Sequence, residues 1–479
     1  MLIGRKKESE ILESLYQRDR AEFVAIYGRR RVGKTYLVNE VFKDRFSFHH
    51  TGLSPYDKKS RVSMTEQLQA FHFSLLRAGL EDGAPAPKSW LEAFFLLQKL
   101  LIKKDDGNRQ VVFIDELPWI DTPKSHFLTA FENFWNDWGS RRHNLFLVIC
   151  GSSTTWILDN IINNPEGFYG RITYQMHLQP FSLKECLDLL EMNQIVLSPY
   201  DVTQGYMALG GIPYYWGYFQ AGKSLAQNLD AMFFEQGAPM QGEFSRLFNS
   251  LFRNSSDYES IVRVLADHNY GLTRDEIASA LEIKKGGGLT NRLRALEESD
   301  FIQSFTPVSN GRKEIRYQLS DLFSLFFLRF IGKQTHPDPS FWQNSQNLPA
   351  INVWKGLAFE KVCFNHIRQI KAALGISGVV SRESTFLVKG ATDTDGSQID
   401  MLIDRDDRVL NLCEMKFYRD RYEVTRDDFA KWGRQIDMLN GFYPKRNVHF
   451  TLISTYGSKI GKYSSIIQKN VTLDDLFQY

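Results

Sequence analysis

The chain has 479 residues, and because single hydrophobic cores stop growing at roughly 250 to 300 residues it should hold roughly two to four domains. Its 36 Phe, 20 Tyr and 9 Trp supply packed cores and exclude a disordered chain. The 58 basic and 56 acidic side chains leave a formal charge of +2, so any preference for nucleic acid or membrane must be local.

The opening "MLIGRKKESE" turns charged at once and lacks the apolar core of a signal peptide. From about residue 22 to 155, β-rich runs alternate with amphipathic helical stretches, the pattern of a parallel sheet with helical crossovers. "EFVAIYG", "FSFHHTG", "VVFIDE" and "LFLVICGSS" are the strand candidates, and each ends in small or polar residues, where ligands bind in open α/β folds. Residues 180–250 read as mostly helical.

Near Asp257 the pattern changes to three short amphipathic helices, with Thr273 to Glu276 spaced as a capping box, followed by two β-like runs around Ser309, Asn310 and Gly311. Three helices and a hairpin predict a winged helix. The most apolar segment, "LFSLFFLRFIG" at 322–332, contains Arg329 and is too short to span a bilayer, so no membrane partner is expected. Residues 335–350 have the Pro, Ser and Asn content of a linker. Beyond them a helix, three strands, a helix and a strand follow. Cys150, Cys186, Cys363 and Cys413 form no C-x-x-C pair, which predicts reduced, mostly buried thiols in a cytoplasmic protein.

Residues 28–35, "GRRRVGKT", fit G-x-x-x-x-G-K-[ST] between an apolar strand and an amphipathic helix. Gly28 and Gly33 let backbone N–H groups turn toward phosphates, Lys34 reaches the β and γ phosphates, and Thr35 ligates Mg²⁺. The second half of such a site is an acidic residue closing an apolar strand. Asp115 would hold Mg²⁺ through water, and Glu116 would polarise the attacking water. Ser152 or Ser153 is either a polar sensor near the γ phosphate or a helix cap, and Arg171 is a candidate for transition-state charge in cis or on a neighbouring subunit. Arg29, Arg30 and Arg31 exceed what phosphate needs; they pair with acidic residues or touch another partner, and no catalytic role follows.

These motifs, together with "GRITYQMHLQPFS" and "GGIPYYW" at 210–216, make the chain resemble the archaeal-type ATPases of the STAND branch of the AAA+ class. The resemblance spans essentially the whole chain. It implies that Gly211 and Pro213 lie in a helical lid and that Pro213 approaches the nucleotide, although Gly-Gly-x-Pro is also a stiff helix break.

After residue 350, Glu414 and Lys416 are two apart and share one strand face, while Asp400 lies on the preceding strand of a hairpin. Carboxylates on paired strands can share a divalent cation, and a lysine can orient or stabilise the attacking hydroxide near a phosphate. Glu360 adds a carboxylate from the first helix; Gln435 reads as solvated, with the same site as its other placement. This order of elements resembles the restriction-endonuclease-like PD-(D/E)XK fold, with Ile399 where the motif has proline. That family resemblance commonly includes such a C-terminal domain.

Lys284, Lys285, Arg292 and Arg294 on or before the third winged-helix helix, and Arg312, Lys313 and Arg316 at its hairpin, would meet DNA phosphates, diluted by Glu297, Glu298 and Asp300. Winged helices also serve as rigid connectors. The expectation is an α/β multidomain protein: a P-loop AAA+-type ATPase core at 1–179, a helical lid at 180–255, a winged helix at 256–334, a linker at 335–350 and a nuclease-like domain at 351–479. ATP and Mg²⁺ are its expected cofactors, with DNA and a second copy of the chain as partners. The rival expectation is a slow nucleotide switch for assembly or signalling with an inactive C-terminal binding domain.

Overall fold

The computed structural model describes residues 2–54, 62–164, 167, 168, 170–252, 254–284, 286–306, 314–332, 338–388 and 397–478. The chain divides into two compact units, Met1–Pro180 with Asn249–Arg253, and Phe181–Phe248 with Asn254–Tyr479.

The first unit is built on strands β1 (Glu22–Tyr27), β2 (Phe46–Thr51), β3 (Gln110–Asp115), β4 (Leu145–Gly151) and β5 (Tyr174–His177). They form one parallel sheet in the order β2-β3-β4-β1-β5. Every residue of β3 and β4 is buried, as expected of central parallel strands covered by helices on both faces. Trp90, Phe94, Phe127 and Phe131 pack beneath one face, with the Trp90 and Phe127 rings 5.0 Å apart. β5, absent from the four strand candidates, has four residues and, among the described residues, pairs with β1 alone. So short an edge strand carries too little periodicity to read.

The strand order has a functional consequence. β4 lies between β1 and β3, with Tyr27 level with Gly151 and Ile114 level with Ile149. The end of β4 therefore separates the loop after β1 from the acidic end of β3.

In the second unit, helices Leu183–Met192, Pro199–Leu209, Pro213–Trp216 and Leu225–Phe233 begin with strong local signals, including capping boxes at Ser182 and Ser224. Three helices, Ser255–Ala266, Arg274–Ala280 and Gly287–Glu298, accompany an antiparallel sheet of β6 (Leu272–Thr273), β7 (Ile302–Phe305) and β8 (Arg316–Leu319), in the order β6-β8-β7. The expected turn at Ser309 to Gly311 lies outside the described residues.

The expected linker at 335–350 differs from the structure. Its described part contains the helix Phe341–Ser345 and the start of another, Pro349–Asn365. Trp342 is 1% exposed, with its ring 5.1 Å from Phe326 and 5.5 Å from Trp354. Asp230 accepts hydrogen bonds from Trp342 N at 2.7 Å and Gln343 N at 3.1 Å, so packing and a distant carboxylate hold a segment whose composition alone reads as loop.

The final sheet comprises β9 (Ser381–Val388), β10 (Ser397–Arg405), β11 (Val409–Lys416), β12 (Asn447–Ser454) and β13 (Lys469–Val471), in the order β13-β12-β11-β10-β9. β9, β10 and β11 pair antiparallel; β11, β12 and β13 pair parallel, with the helix Arg426–Phe442 crossing from β11 to β12. Within this unit the 181–248 helices pack on the C-terminal part. Leu183 N donates to His366 Nε2 at 2.9 Å, and the Tyr200 and Phe417 rings stack at 4.7 Å.

All four cysteines are buried, and none is in a disulfide. Among the described residues no helix is long and apolar enough to cross a membrane.

Candidate functional sites

The loop after β1 needs two glycines for different reasons. Gly28 has φ +134°, and a Cβ there would lie 2.6 Å from the backbone oxygen of Leu178. Gly33 has φ +94° and open space around it, so only its backbone conformation demands glycine. It caps the helix Lys34–Phe42.

Lys34 is 6% exposed, and its Nζ donates to Gly28 O at 2.8 Å and Arg29 O at 2.9 Å. Burial pulls this ammonium below the ordinary lysine range, against the attraction of Glu116. Thr35 Oγ1 donates to Asp115 Oδ2 at 2.9 Å, 80 positions away. This donor set fits a magnesium nucleotide: a buried cation held by loop carbonyls, beside a paired hydroxyl and carboxylate.

Asp115 and Glu116 have distinct partners. Asp115 Oδ1 accepts from Glu116 N at 2.8 Å and from the Cys150 thiol. Glu116 adopts left-handed backbone angles, φ 49° and ψ 48°, and its Oε2 accepts from both Ser152 N and Ser152 Oγ at 2.9 Å. Burial raises the Glu116 carboxyl above its ordinary range, while Lys34 and the Ser152 donors oppose the shift. Ser153 holds the N-cap position of the helix Thr154–Ile157 without a side-chain cap bond.

Two residues here had no motif to reveal them. Arg5, 4% exposed with φ 57°, sends Nη2 to Val32 O at 2.9 Å and braces the loop from outside it. Cys150 sits in an otherwise hydrocarbon and glycine strand, where sequence reads only burial. Arg29 is buried and Arg31 has φ 70°. Arg171 lies 3.8 Å from Glu132 and is 45% exposed at its side chain.

Pro213 belongs to the second unit, at the first turn of the helix Pro213–Trp216. Gly211 before it passes so close to Phe181 that a Cβ would meet that residue's carbonyl oxygen, and Trp216 Nε1 donates to Gly210 O at 2.8 Å. Local packing thus uses the Gly-Gly-x-Pro break.

The C-terminal carboxylates converge. Glu414, 1% exposed, receives Lys416 Nζ at 2.9 Å and Lys431 Nζ at 3.1 Å on the same oxygen, Oε1. Asp400 Oδ2 accepts from Met415 N at 2.9 Å. Burial, then Glu414, pushes the Asp400 carboxyl up to about 6; burial, then Asp400, pushes Glu360 up to about 8. For Lys416, burial pulls the ammonium down, but the charge and hydrogen bond of Glu414 together with Asp400 and Tyr418 leave the pKa raised.

Lys431 was missed by the strand motif because it comes from the crossing helix. Gln435, four residues later, is 2% exposed rather than solvated: that helical face turns inward. Among the described residues no three His, Cys, Asp or Glu side chains form a group able to hold a metal ion.

The basic residues near the three-stranded sheet are largely paired. Arg292 meets Asp257 at 2.6 Å, Arg294 meets Glu298 at 3.8 Å, and Arg316 meets Glu276 at 3.1 Å. Lys284 is exposed, while Lys285, Arg312 and Lys313 lie outside the described residues.

Residues 2–219 match the family described as "ATPase domain predominantly from Archaea". Through this segment the chain belongs to that ATPase family. Its sheet and phosphate loop are those of a P-loop ATPase. A curated relative, "Uncharacterized protein MJECL04" of Methanocaldococcus jannaschii, is 23% identical over 468 residues, covering 91% of this chain and 96% of its own. A second from the same organism, "Uncharacterized ATP-binding protein MJ0423", is 40% identical over 45 residues, 9% of this chain and 76% of its own. The solved Walker-type ATPase PABY2304 of Pyrococcus abyssi shares the fold at a TM-score of 0.50 and 18% identity, over 68% of this chain and 96% of that one.

Proposed function

We propose that this P-loop ATPase binds ATP with Mg²⁺ at residues 28–35, hydrolyses it, and couples nucleotide state to DNA binding and metal-dependent DNA cleavage by its C-terminal part. The observation that carries the nucleotide reading is the Thr35 hydroxyl on Asp115 at 2.9 Å, beside the buried Lys34. Mg²⁺, which Thr35 and Asp115 would hold, would supply charge neutralisation at the phosphates. Gly28 and Gly33 shape the loop, Lys34 exchanges its two carbonyl partners for phosphate oxygens, and Thr35 with Asp115 holds the ion. Glu116, on leaving Ser152, orients the attacking water and accepts its proton. Arg171 supplies transition-state charge within one chain or to a neighbouring copy in a homo-oligomer, and Pro213 approaches the nucleotide as the family resemblance implies. The cytoplasm is the proposed location.

Lys34→Ala should lower ATP affinity at least about a hundredfold, the scale of losing two charge-assisted hydrogen bonds. Undiminished binding and turnover in that variant would sink the assignment.

For the C-terminal part, residues 256–334 act as a winged helix on DNA, and Asp400, Glu414, Glu360 and Lys416 form a PD-(D/E)XK site. Their convergence and mutual perturbation support this reading. Cleavage of linear and circular DNA with Mg²⁺ or Mn²⁺, with and without ATP, should be lost in Asp400→Ala. The second reading is a STAND-type nucleotide switch with a non-cleaving C-terminal binding domain. It is favoured by the two lysines that already neutralise Glu414. A wild type inert toward DNA, whose light scattering changes between ADP and ATP, would select it.

A further inference from the structure

β4 reads Leu-Phe-Leu-Val-Ile-Cys-Gly, all buried, and the Cys150 thiol is the one side-chain hydrogen-bond donor in it. Because β4 lies between β1 and β3, that thiol faces the end of β3, where it donates to Asp115 Oδ1. The same oxygen accepts from Glu116 N at 2.8 Å, and the opposite oxygen, Oδ2, accepts from Thr35 at 2.9 Å. The two oxygens therefore have separate tasks. Oδ1 is held by two donors of the sheet edge, and Oδ2 is left beside the Thr35 hydroxyl.

We propose that Cys150 is a positioning residue for the nucleotide's magnesium: its thiol sets the rotation of the Asp115 carboxylate so that Oδ2 and the Thr35 hydroxyl face the ion together. The inference rests on the nucleotide reading above. It differs from a reactive-cysteine role, because Cys150 has no exposed surface for a reagent to reach. A thiol suits the place physically. It is small and hydrophobic enough for a fully buried strand, yet it offers the carboxylate a proton.

The test uses the full chain and a fluorescent ADP analogue, titrated in EDTA and across a Mg²⁺ series, for wild type, Cys150→Ala and Cys150→Ser. Cys150→Ala should raise the half-saturating Mg²⁺ concentration by about fivefold, the effect of one modest hydrogen bond, and leave affinity in EDTA unchanged. Cys150→Ser, which keeps a donor, should remain within about twofold of wild type. A structural role alone would weaken both conditions together.

The wild-type chain supplies a second readout in case Cys150→Ala fails to fold. The infrared S–H stretch assigned to Cys150 by its loss in Cys150→Ser should shift on Asp115→Asn. An unmoved stretch overturns the proposal, as does a Mg²⁺ series that is the same for wild type and Cys150→Ala or is shifted equally by Ala and Ser. A wild-type chain that binds no analogue with or without Mg²⁺ instead overturns the underlying nucleotide reading, and this inference with it.

Discussion

Substituting the two loop glycines separately by alanine distinguishes steric demand from backbone demand. At Gly28 the added Cβ falls 2.6 Å from Leu178 O, and the neighbouring Leu178 N donates to Tyr27 O at 2.8 Å, so the carbonyl cannot retreat without straining the β1–β5 join. The φ of +134° adds backbone strain at the upper end of about 1–3 kcal/mol, and weakening one hydrogen bond adds about 1 kcal/mol. Gly28→Ala should therefore cost about 4 kcal/mol. At Gly33 the Cβ meets nothing within 4 Å, leaving only the cost of a left-handed residue, about 1–2 kcal/mol. Denaturant unfolding of the full chain, read on the transition that an ADP analogue shifts, measures both. Equal destabilisation by the two variants, or a larger effect at Gly33, would refute the claim that close approach to Leu178 is what makes Gly28 indispensable.

Ser152→Ala removes one of the two donors on Glu116, so its already raised carboxyl should rise further and the acid limb of the pH–rate profile for ATP hydrolysis should move to higher pH; an unmoved limb would separate Ser152 from the base. Lys431→Met frees Glu414 from one of two cations, and Mn²⁺ binding by the full chain, followed by paramagnetic resonance, should tighten by about tenfold, with Asp400→Asn reversing the gain. His366 is 1% exposed, and burial pushes its pKa down from 6.5 to about 4. The unfolded chain then takes up a proton below about pH 6.5 that the folded chain refuses until about pH 4, so stability falls as pH drops through that window, by on the order of 3 kcal/mol from this group. Urea melts at pH 7 and pH 5 should show the loss, and His366→Gln should flatten this part of it.

Readable features of the site are local in the chain. The phosphate loop carries its glycines, lysine and threonine within eight consecutive positions, and Asp115 and Glu116 announce themselves because a carboxylate must end a strand that is otherwise wholly buried. Capping boxes at Ser182, Ser224 and Thr273 begin helices through contacts that span only three residues. Less legible were segments whose local composition conflicts with their surroundings. The 335–350 stretch looks like linker, but Trp342 is buried against Phe326 and Trp354; Gln435 looks solvated until the helix that carries it is turned toward Glu414.

By itself, the sequence determined that this is a multidomain α/β chain with a phosphate loop and its acidic partner, since strand periodicity, turn chemistry and the Gly-x-x-x-x-Gly-Lys-Thr spacing all act over a few residues. Only the tertiary structure decided which atoms those residues meet. Placing β4 between β1 and β3 brings Cys150 to Asp115 and Ser152 to Glu116; folding the chain end over the loop brings Arg5 to Val32; packing the crossing helix on β11 brings Lys431 to Glu414; and joining the 181–248 helices to the C-terminal part brings Leu183 to His366, 183 positions away. Such contacts depend on strand order and helix orientation. Those are selected by burial of the whole core, which no short stretch of chain encodes alone.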